Sequence, residues 1–193
     1  MLRIRSLFAG LVCALAVTAT AATAATASAP RIQFKTSMGN FTVEVYPDKA
    51  PKTVANFLQY VKDGFYKGTI FHRVMDGFMI QGGGFTPDMK QKDTRQPVEI
   101  ESKNGLKNDK YTIAMARTMD PNSATAQFYV NVVDNNMLNY PGQDGYGYTV
   151  FGKVVDGTDT IDKIKAVETT TKFPHQNVPV KPIVIESATV VSK

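Results

Sequence analysis

The sequence has very few of the residues that build metal, redox and covalent sites. Its 193 residues include one cysteine, two histidines and no tryptophan. The cysteine, Cys13, lies in the N-terminal segment described next, so the remaining chain forms neither an internal disulfide nor a thiolate site. His72 and His175 have no acidic cluster beside them, whereas a zinc site normally needs three or four protein ligands. We therefore expect no metal, no cofactor, and a fold stabilised by its packed core.

The sequence also lacks an apolar run long enough to span a bilayer, which needs about 20 residues. The best candidate, residues 7–17, follows two arginines and precedes a segment rich in alanine and threonine, an order typical of a secretory signal peptide. We expect residues 1–29 to be a cleavable signal peptide, cut near residue 27, and residues 30–193 to form a single domain. The predicted localisation is periplasmic, with secretion as the alternative, and no membrane contact is expected after cleavage.

Charge of one sign is not concentrated anywhere in the chain. Without the two arginines of the leader, 20 of the 22 lysines and arginines face 17 acidic residues, a net charge of about +3. The charge is mild and evenly mixed, so no nucleic-acid partner is expected.

The pattern of apolar residues predicts a strand-rich domain with two helices. Residues 31–36 and 40–46 alternate apolar with polar side chains across a short turn, which indicates an antiparallel hairpin. Residues 50–64 and 158–167 carry apolar side chains at helical spacing instead. Short apolar runs follow at residues 69–74, 78–82, 112–116, 127–132, 149–155 and 182–191. Many short strands without strand-helix alternation favour an antiparallel barrel or sandwich.

The segment FHRVMDGFMIQGGGF, residues 71–85, contains a histidine, an arginine and three consecutive glycines. A phosphate-binding loop would need a lysine and a hydroxyl residue after the glycines, and neither follows at the required offsets, so the glycines indicate a bend in a strand. The chain also lacks the G-x-S-x-G motif of a serine nucleophile. Arg73 has apolar neighbours, and the residues alone leave open whether it serves a structural ion pair or a functional site. His175, in KFPHQNVP, is predicted to lie in a loop.

The segment 71–85 resembles the signature of the cyclophilin family of peptidyl-prolyl cis-trans isomerases. Further resemblances occur in the family's order, in APKTVANFLQYVKDGFYKGTIFHRV, TIAMARTMDPNSATAQFYVNV and TVFGKVVDG. The resemblance covers nearly all of residues 31–192 and is greatest to the exported bacterial members. It implies a mainly β fold, a closed eight-stranded antiparallel β-barrel capped by two α-helices.

The resemblance also implies roles for individual residues. Arg73 matches the catalytic arginine of the family, and Gln81 matches the glutamine that supports it. The walls of the proline pocket are matched by Phe78, Met79, Tyr129 and Leu138, and the groove for the flanking peptide by Ala116, Arg117, Thr118 and Gln127. His72 matches a groove histidine that contacts substrate without acting as a base.

Two further positions, Met137 and Tyr148, complete the predicted substrate-binding set, and both depart from the eukaryotic pattern. Met137 stands where tryptophan often occurs, Tyr148 where histidine is common, and Arg117 where asparagine is common. The tryptophan indole donates a hydrogen bond to cyclosporin in the family. Its replacement therefore predicts weak or no cyclosporin binding.

The function implied by the resemblance is acceleration of X-Pro bond rotation during the folding of exported proteins, without covalent chemistry. The expected partners are proline-containing peptides and unfolded exported proteins, and the expected oligomeric state is a monomer. The alternative is a proline-peptide binding module or holdase chaperone with incidental catalysis. Arg73 and Gln81 favour the enzyme, because a binding module needs the apolar pocket but not the charge above it.

Overall fold

The computed structural model describes residues 29–191, so the predicted signal peptide lies outside the described residues except for Ala29. The strands are β1 Arg31–Thr36, β2 Gly39–Val45, β3 Phe71–Met75, β4 Met79–Gly82, β5 Thr112–Met115, β6 Phe128–Asn131, β7 Val150–Asp156, β8 Thr169–Lys172, β9 His175–Pro179 and β10 Ile185–Val191. The helices are α1 Pro51–Lys62 and α2 Thr158–Lys165, and a short 3-10 turn covers Asn136–Leu138. Within residues 29–191, no helix has the length and apolar character needed to cross a membrane.

Eight strands form one antiparallel sheet in the order β10-β1-β2-β7-β5-β6-β4-β3, and β8 and β9 form a separate hairpin. The mainly β class, the eight strands and the two helices are confirmed. The closed barrel was an overstatement, because the edge strands β3 and β10 meet only near the isolated bridge between Ile70 and Val184. The register of β3 shifts between Phe71 and Arg73, and the β8–β9 hairpin packs alongside β3 beyond this point. The sheet is therefore a half-barrel.

The alternating side chains of β1 and β2 build the first part of the core. Ile32, Phe34, Phe41 and Val43 are each at most 1% exposed. Phe34 pairs with Phe41 across the two strands, with ring centroids 4.8 Å apart. The predicted hairpin is confirmed, since its period of two places these side chains on the buried face.

The two predicted helices are present and pack against the sheet through their apolar faces. Phe57 and Val61 of α1 and Ile161 of α2 are buried. The residue that precedes α1 makes no side-chain cap to the helix. Glu101 supplies the acceptor instead, since the backbone amide of Thr53 donates to the Glu101 carboxylate at 2.8 Å. A carboxylate at this end also complements the helix dipole.

The β8–β9 hairpin was not predicted, and the prediction that His175 lies in a loop is wrong. His175 is the first residue of β9 and pairs with Lys172 of β8. The sequences TTTK and HQNVP are too polar to show the alternation of a half-buried strand. Tertiary packing against β3 supports the hairpin instead.

Candidate active site

The register of three strands brings the main polar candidates to one place. Arg73 of β3 lies directly opposite Gln81 of β4, and Gln81 lies directly opposite Tyr129 of β6. Residues directly opposite each other in antiparallel strands project their side chains to the same face of the sheet. The cluster therefore follows from strand pairing, although 46 residues separate Gln81 from its hydrogen-bond partner Gln127.

A pocket of about 100 Å³ opens on this face. Its lining consists of nine residues, Arg73, Phe78, Met79, Gln81, Ala116, Arg117, Tyr129, Leu138 and Tyr148. All nine belong to the set predicted from the sequence. Among residues 29–191, Arg73 forms no ion pair, and its guanidinium carbon lies 6.0 Å from the centre of the Phe78 ring. The half-buried guanidinium is therefore available at the pocket.

The apolar wall of the pocket is a second cluster of buried residues, separate from the main core. Met79 and Tyr129 are 2% and 4% exposed, and they pack with Ala114 and Val150. All four residues of β5 and all four of β6 are buried, because one face of each strand meets the core and the other meets this wall. This explains the continuous apolar runs of both segments.

Buried asparagines hold the wall in place. The hydroxyl of Tyr129 donates to Oδ1 of Asn108 at 2.7 Å, and Nδ2 of Asn135 donates to the backbone oxygen of Phe78 at 2.8 Å. Asn131 links the two, since it accepts from Asn135 at 2.7 Å and donates to Asn108 at 3.2 Å. Burial raises the pKa of Tyr129 well above its usual value, so the phenol remains a donor. This network was not predicted from the sequence; the available signal was the asparagine inside the apolar run QFYVNV.

The arginine at position 117 forms part of the pocket rim rather than a free cation. Its guanidinium pairs with Asp144 and donates to the backbone oxygen of Gly147 at 2.7 Å and of Thr118 at 2.9 Å. The guanidinium carbon lies 4.3 Å from the ring centre of Tyr148, a pocket residue. Arg117 thus joins the loop before Tyr148 to the end of β5 and covers the aromatic ring.

The hydrogen bond from Arg117 has a direct electrostatic consequence. Together with the backbone amides of Tyr146 and Gly147, it lowers the pKa of Asp144 from 3.8 to about 2. Asp144 is therefore ionised throughout the physiological range.

A wider groove of about 520 Å³ adjoins the pocket, and His72 and Gln127 line it. His72 is 5% exposed, and its ring packs against Phe85 with centroids 4.6 Å apart. Burial, His175 and Arg73 lower the pKa of His72 to about 4, so its imidazole is neutral at physiological pH. Its buried Nδ1 has no hydrogen-bond partner among the described residues.

Two of the thirteen predicted site residues line neither cavity. Thr118 is exposed, and its hydroxyl donates to Ser123 at 2.8 Å. Met137 is 56% exposed on the 3-10 turn. In residues 29–191, no three histidine, cysteine, aspartate or glutamate side chains come together as metal ligands would.

The glycines of the segment 71–85 permit close packing beside the site. A Cβ at Gly82 would lie 2.9 Å from the Phe71 ring, and one at Gly84 would lie 2.5 Å from Cγ of Gln127. Larger residues at these positions would push the neighbouring strand or groove side chains aside. The role of the glycines is therefore to let the backbone pack closely against them.

Comparisons with known proteins agree with one another. The family profile described as "Cyclophilin type peptidyl-prolyl cis-trans isomerase/CLD" matches residues 31–190. The chain is 56% identical over 161 residues to peptidyl-prolyl cis-trans isomerase B of Escherichia coli K12, covering 82% of this chain and 98% of that protein. It is 50% identical over 189 residues to peptidyl-prolyl cis-trans isomerase A of Dickeya dadantii, covering 98% and 99%.

The fold is also similar to that of solved structures. A Cryptosporidium parvum cyclophilin-type peptidyl-prolyl cis-trans isomerase, crystallised in the presence of the dipeptide Ala-Pro, matches with a TM-score of 0.73 and 27% identity. The match covers 84% of this chain and 99% of that one.

Proposed function

Since the chain belongs to the cyclophilin-type peptidyl-prolyl cis-trans isomerases, we propose that Arg73 accelerates X-Pro bond rotation by hydrogen bonding to the prolyl nitrogen in the twisted transition state. The single observation that carries this mechanism is the position of Arg73: it lines the small pocket together with apolar and aromatic side chains and has no ion-pair partner among residues 29–191.

The reaction needs no covalent step. An X-Pro bond rotates slowly because amide resonance is lost in the twisted state, a barrier of about 20 kcal/mol. As the bond twists, the proline nitrogen becomes pyramidal and recovers a lone pair. A guanidinium donor beside this nitrogen binds the twisted form more tightly than either planar form, and such differential binding is what raises the rate.

The pocket supplies the second requirement, a fixed proline ring. Phe78, Met79, Tyr129 and Leu138 present apolar surface to a cavity that also contains the guanidinium. We expect the ring to be held there while the preceding residue rotates. Exclusion of water by the apolar wall strengthens the field of Arg73. The Ala-Pro dipeptide used with the Cryptosporidium parvum relative supports proline-containing peptides as ligands of this chain.

Acid-base catalysis is a poorer explanation for the site. Of the two imidazoles that line the groove with Arg73, His72 is adjacent to Arg73 in the sequence, and its pKa of about 4 leaves it uncharged at neutral pH. Its Nδ1 is buried, away from solvent. A mechanism that relies on a guanidinium donor and transfers no proton predicts little pH dependence of kcat between pH 6 and 8.

Arg73→Ala tests the mechanism. We expect kcat/KM for an Ala-Pro peptide in a protease-coupled assay to fall about 10²-fold, the usual loss when one transition-state donor is removed. Arg95→Ala is the matched control, because Arg95 is an exposed arginine paired with Asp63 and lines none of the cavities described above. Full activity of Arg73→Ala would contradict the mechanism. A wild-type protein that binds the peptide without accelerating rotation would instead be a proline-peptide binding module.

We also propose that the enzyme serves the folding of exported proteins in the periplasm. The support is the order of residues in the N-terminal segment, which is typical of a cleavable leader, and the absence of cysteine after Cys13. N-terminal sequencing of the protein from a periplasmic fraction tests this proposal. A start near residue 28 is expected, and an intact Met1 in the cytoplasmic fraction would contradict it.

A further inference from the structure

The β8–β9 hairpin forms one wall of the groove beside the proline pocket. Pro174, His175, Gln176 and Asn177 line this groove from the hairpin side. The rest of the lining consists of His72, Arg73, Gln81, Phe85, Arg117 and Gln127. Arg73, Gln81 and Arg117 line both the groove and the proline pocket. A peptide whose proline occupies the pocket therefore has a flanking residue next to the hairpin.

The groove is rich in cationic and hydrogen-bond-donating side chains. It contains two guanidinium groups, two imidazoles and the carboxamides of four residues, whereas no aspartate or glutamate of the described chain lines it. The charge of Arg117 is balanced by Asp144 on the rim. The charge of Arg73 has no such partner among residues 29–191. The uncompensated charge at the groove is therefore positive.

We propose that this groove binds an acidic side chain of the substrate beside the proline, so that the enzyme prefers X-Pro bonds flanked by glutamate or aspartate. The inference rests on the proposed function, because it assigns a substrate class to the same site. A carboxylate accepts several hydrogen bonds at once, and guanidinium, imidazole and carboxamide N–H groups are the donors that it needs.

The hairpin residues that line the groove have not yet been assigned a role. His175 is half-buried, and its ring lies 5.0 Å from the Phe85 ring and 6.5 Å from the ring of the neutral His72, so the three rings form one cluster on the groove. Gln176 is exposed on the groove side, and Asn177 adopts a φ of 58°, a left-handed conformation that asparagine tolerates better than most residues. These contacts lie outside the small proline pocket, so they act on the choice of peptide.

Peptides with one Ala-Pro bond test the preference. Each peptide carries glutamate, glutamine or lysine at one position, from three residues before the proline to three residues after it. The C-terminus is amidated, so that only a side chain supplies the carboxylate. Catalysed exchange between cis and trans forms is measured by NMR exchange spectroscopy, which needs no coupling protease. We expect the glutamate peptide to exceed its glutamine isostere in kcat/KM by about two- to fivefold at one or more positions, and lysine to be the poorest.

Added salt and a charge substitution sharpen the test. The glutamate-to-glutamine ratio is expected to fall toward one in 0.5 M NaCl, because the groove is open to solvent. Gln176→Glu places a carboxylate in the groove without changing its shape, and the ratio is expected to fall to one or below. Gln96→Glu is the matched control, since the same substitution there lies on an exposed residue that lines neither cavity, and the ratio should stay as in the wild type.

Every result of these measurements either supports or overturns the proposed preference for acidic flanking residues. Equal kcat/KM for glutamate and glutamine at every position, with normal acceleration of both, overturns this inference and leaves the proposed function intact. A preference that survives Gln176→Glu also overturns it, because the hairpin would then not face the acidic residue. Failure to accelerate any peptide overturns the proposed function and the inference together.

Discussion

Replacing Asp144 by asparagine isolates the ion pair that holds Arg117 over the pocket. The side chain of Arg117 is only 3% exposed, and Asp144 is its ion-pair partner in the described chain. Asparagine keeps an oxygen that can accept from the amides of Tyr146 and Gly147, both at 3.0 Å in the wild type. The substitution therefore removes the charge and leaves the turn intact.

The pKa of Asp144 sets the size of the effect. A decrease from 3.8 to about 2 corresponds to at most about 2–3 kcal/mol, because one pKa unit is 1.36 kcal/mol. The Asp144 side chain is 26% exposed, so solvent screening reduces this value. We expect the free energy of unfolding to fall by about 1–2 kcal/mol, which lowers Tm by about 2–8 °C for a domain of this size.

The pH dependence has a definite sign. The folded-state pKa is lower than the unfolded one, so the carboxylate contributes its full stability above about pH 4 and loses it as the pH falls toward about 2. Urea denaturation of the wild type and Asp144→Asn at several pH values measures this. The difference between them should be constant from pH 5 to 7 and shrink below pH 4. Without the ion pair, Arg117 is no longer held over the ring of Tyr148, a pocket residue, so kcat/KM for Ala-Pro peptides should fall as well.

Asp93→Asn is the matched control, since Asp93 is exposed and forms no ion pair within residues 29–191. Its free energy of unfolding should change by less than about 0.5 kcal/mol. If Asp144→Asn unfolds like the wild type at pH 7, or if a difference between them is the same at pH 2.5 as at pH 7, then the ion pair does not stabilise the fold in this way.

Further predictions concern the glycine segment, the buried network, the missing tryptophan and cofactors. Gly84→Ala should lower the free energy of unfolding by about 1–3 kcal/mol in urea denaturation and should lower kcat/KM, because the new Cβ would lie 2.5 Å from Cγ of Gln127. Unchanged stability would show that the Gln127 side chain moves aside without cost. Tyr129→Phe removes the 2.7 Å hydrogen bond to Asn108 and should cost about 1–2 kcal/mol, measured in the same way; a neutral result would argue against a role for the network. Met137→Trp should tighten cyclosporin binding in isothermal titration calorimetry, whereas equal affinities would refute the explanation given for weak binding. A chelator such as EDTA should leave kcat/KM unchanged, and a loss restored by metal would contradict the expected absence of a cofactor.

Local patterns in the sequence were sufficient to predict most of the secondary structure. Period-two alternation predicted β1 and β2, and helical spacing predicted α1 and α2. Both patterns arise because burial of one face of an element requires apolar residues at a regular spacing along the chain. The resemblance to a family supplied eleven residues that line the pocket or the groove. Without it, Arg73 remained open between a structural and a functional role.

Only the tertiary structure decided which polar groups of distant segments pair with one another. Glu101 caps a helix that begins 50 residues earlier in the chain at Pro51, and Asp144 pairs with Arg117 across 27 residues. The buried asparagines, the β8–β9 hairpin and the half-barrel closure likewise depend on contacts between segments far apart in sequence. Periodicity records which face of an element is buried, but it does not record which polar group of another element meets it. That pairing exists only once the strands are in register, and it is the register that places Arg73, Gln81 and Tyr129 on one face.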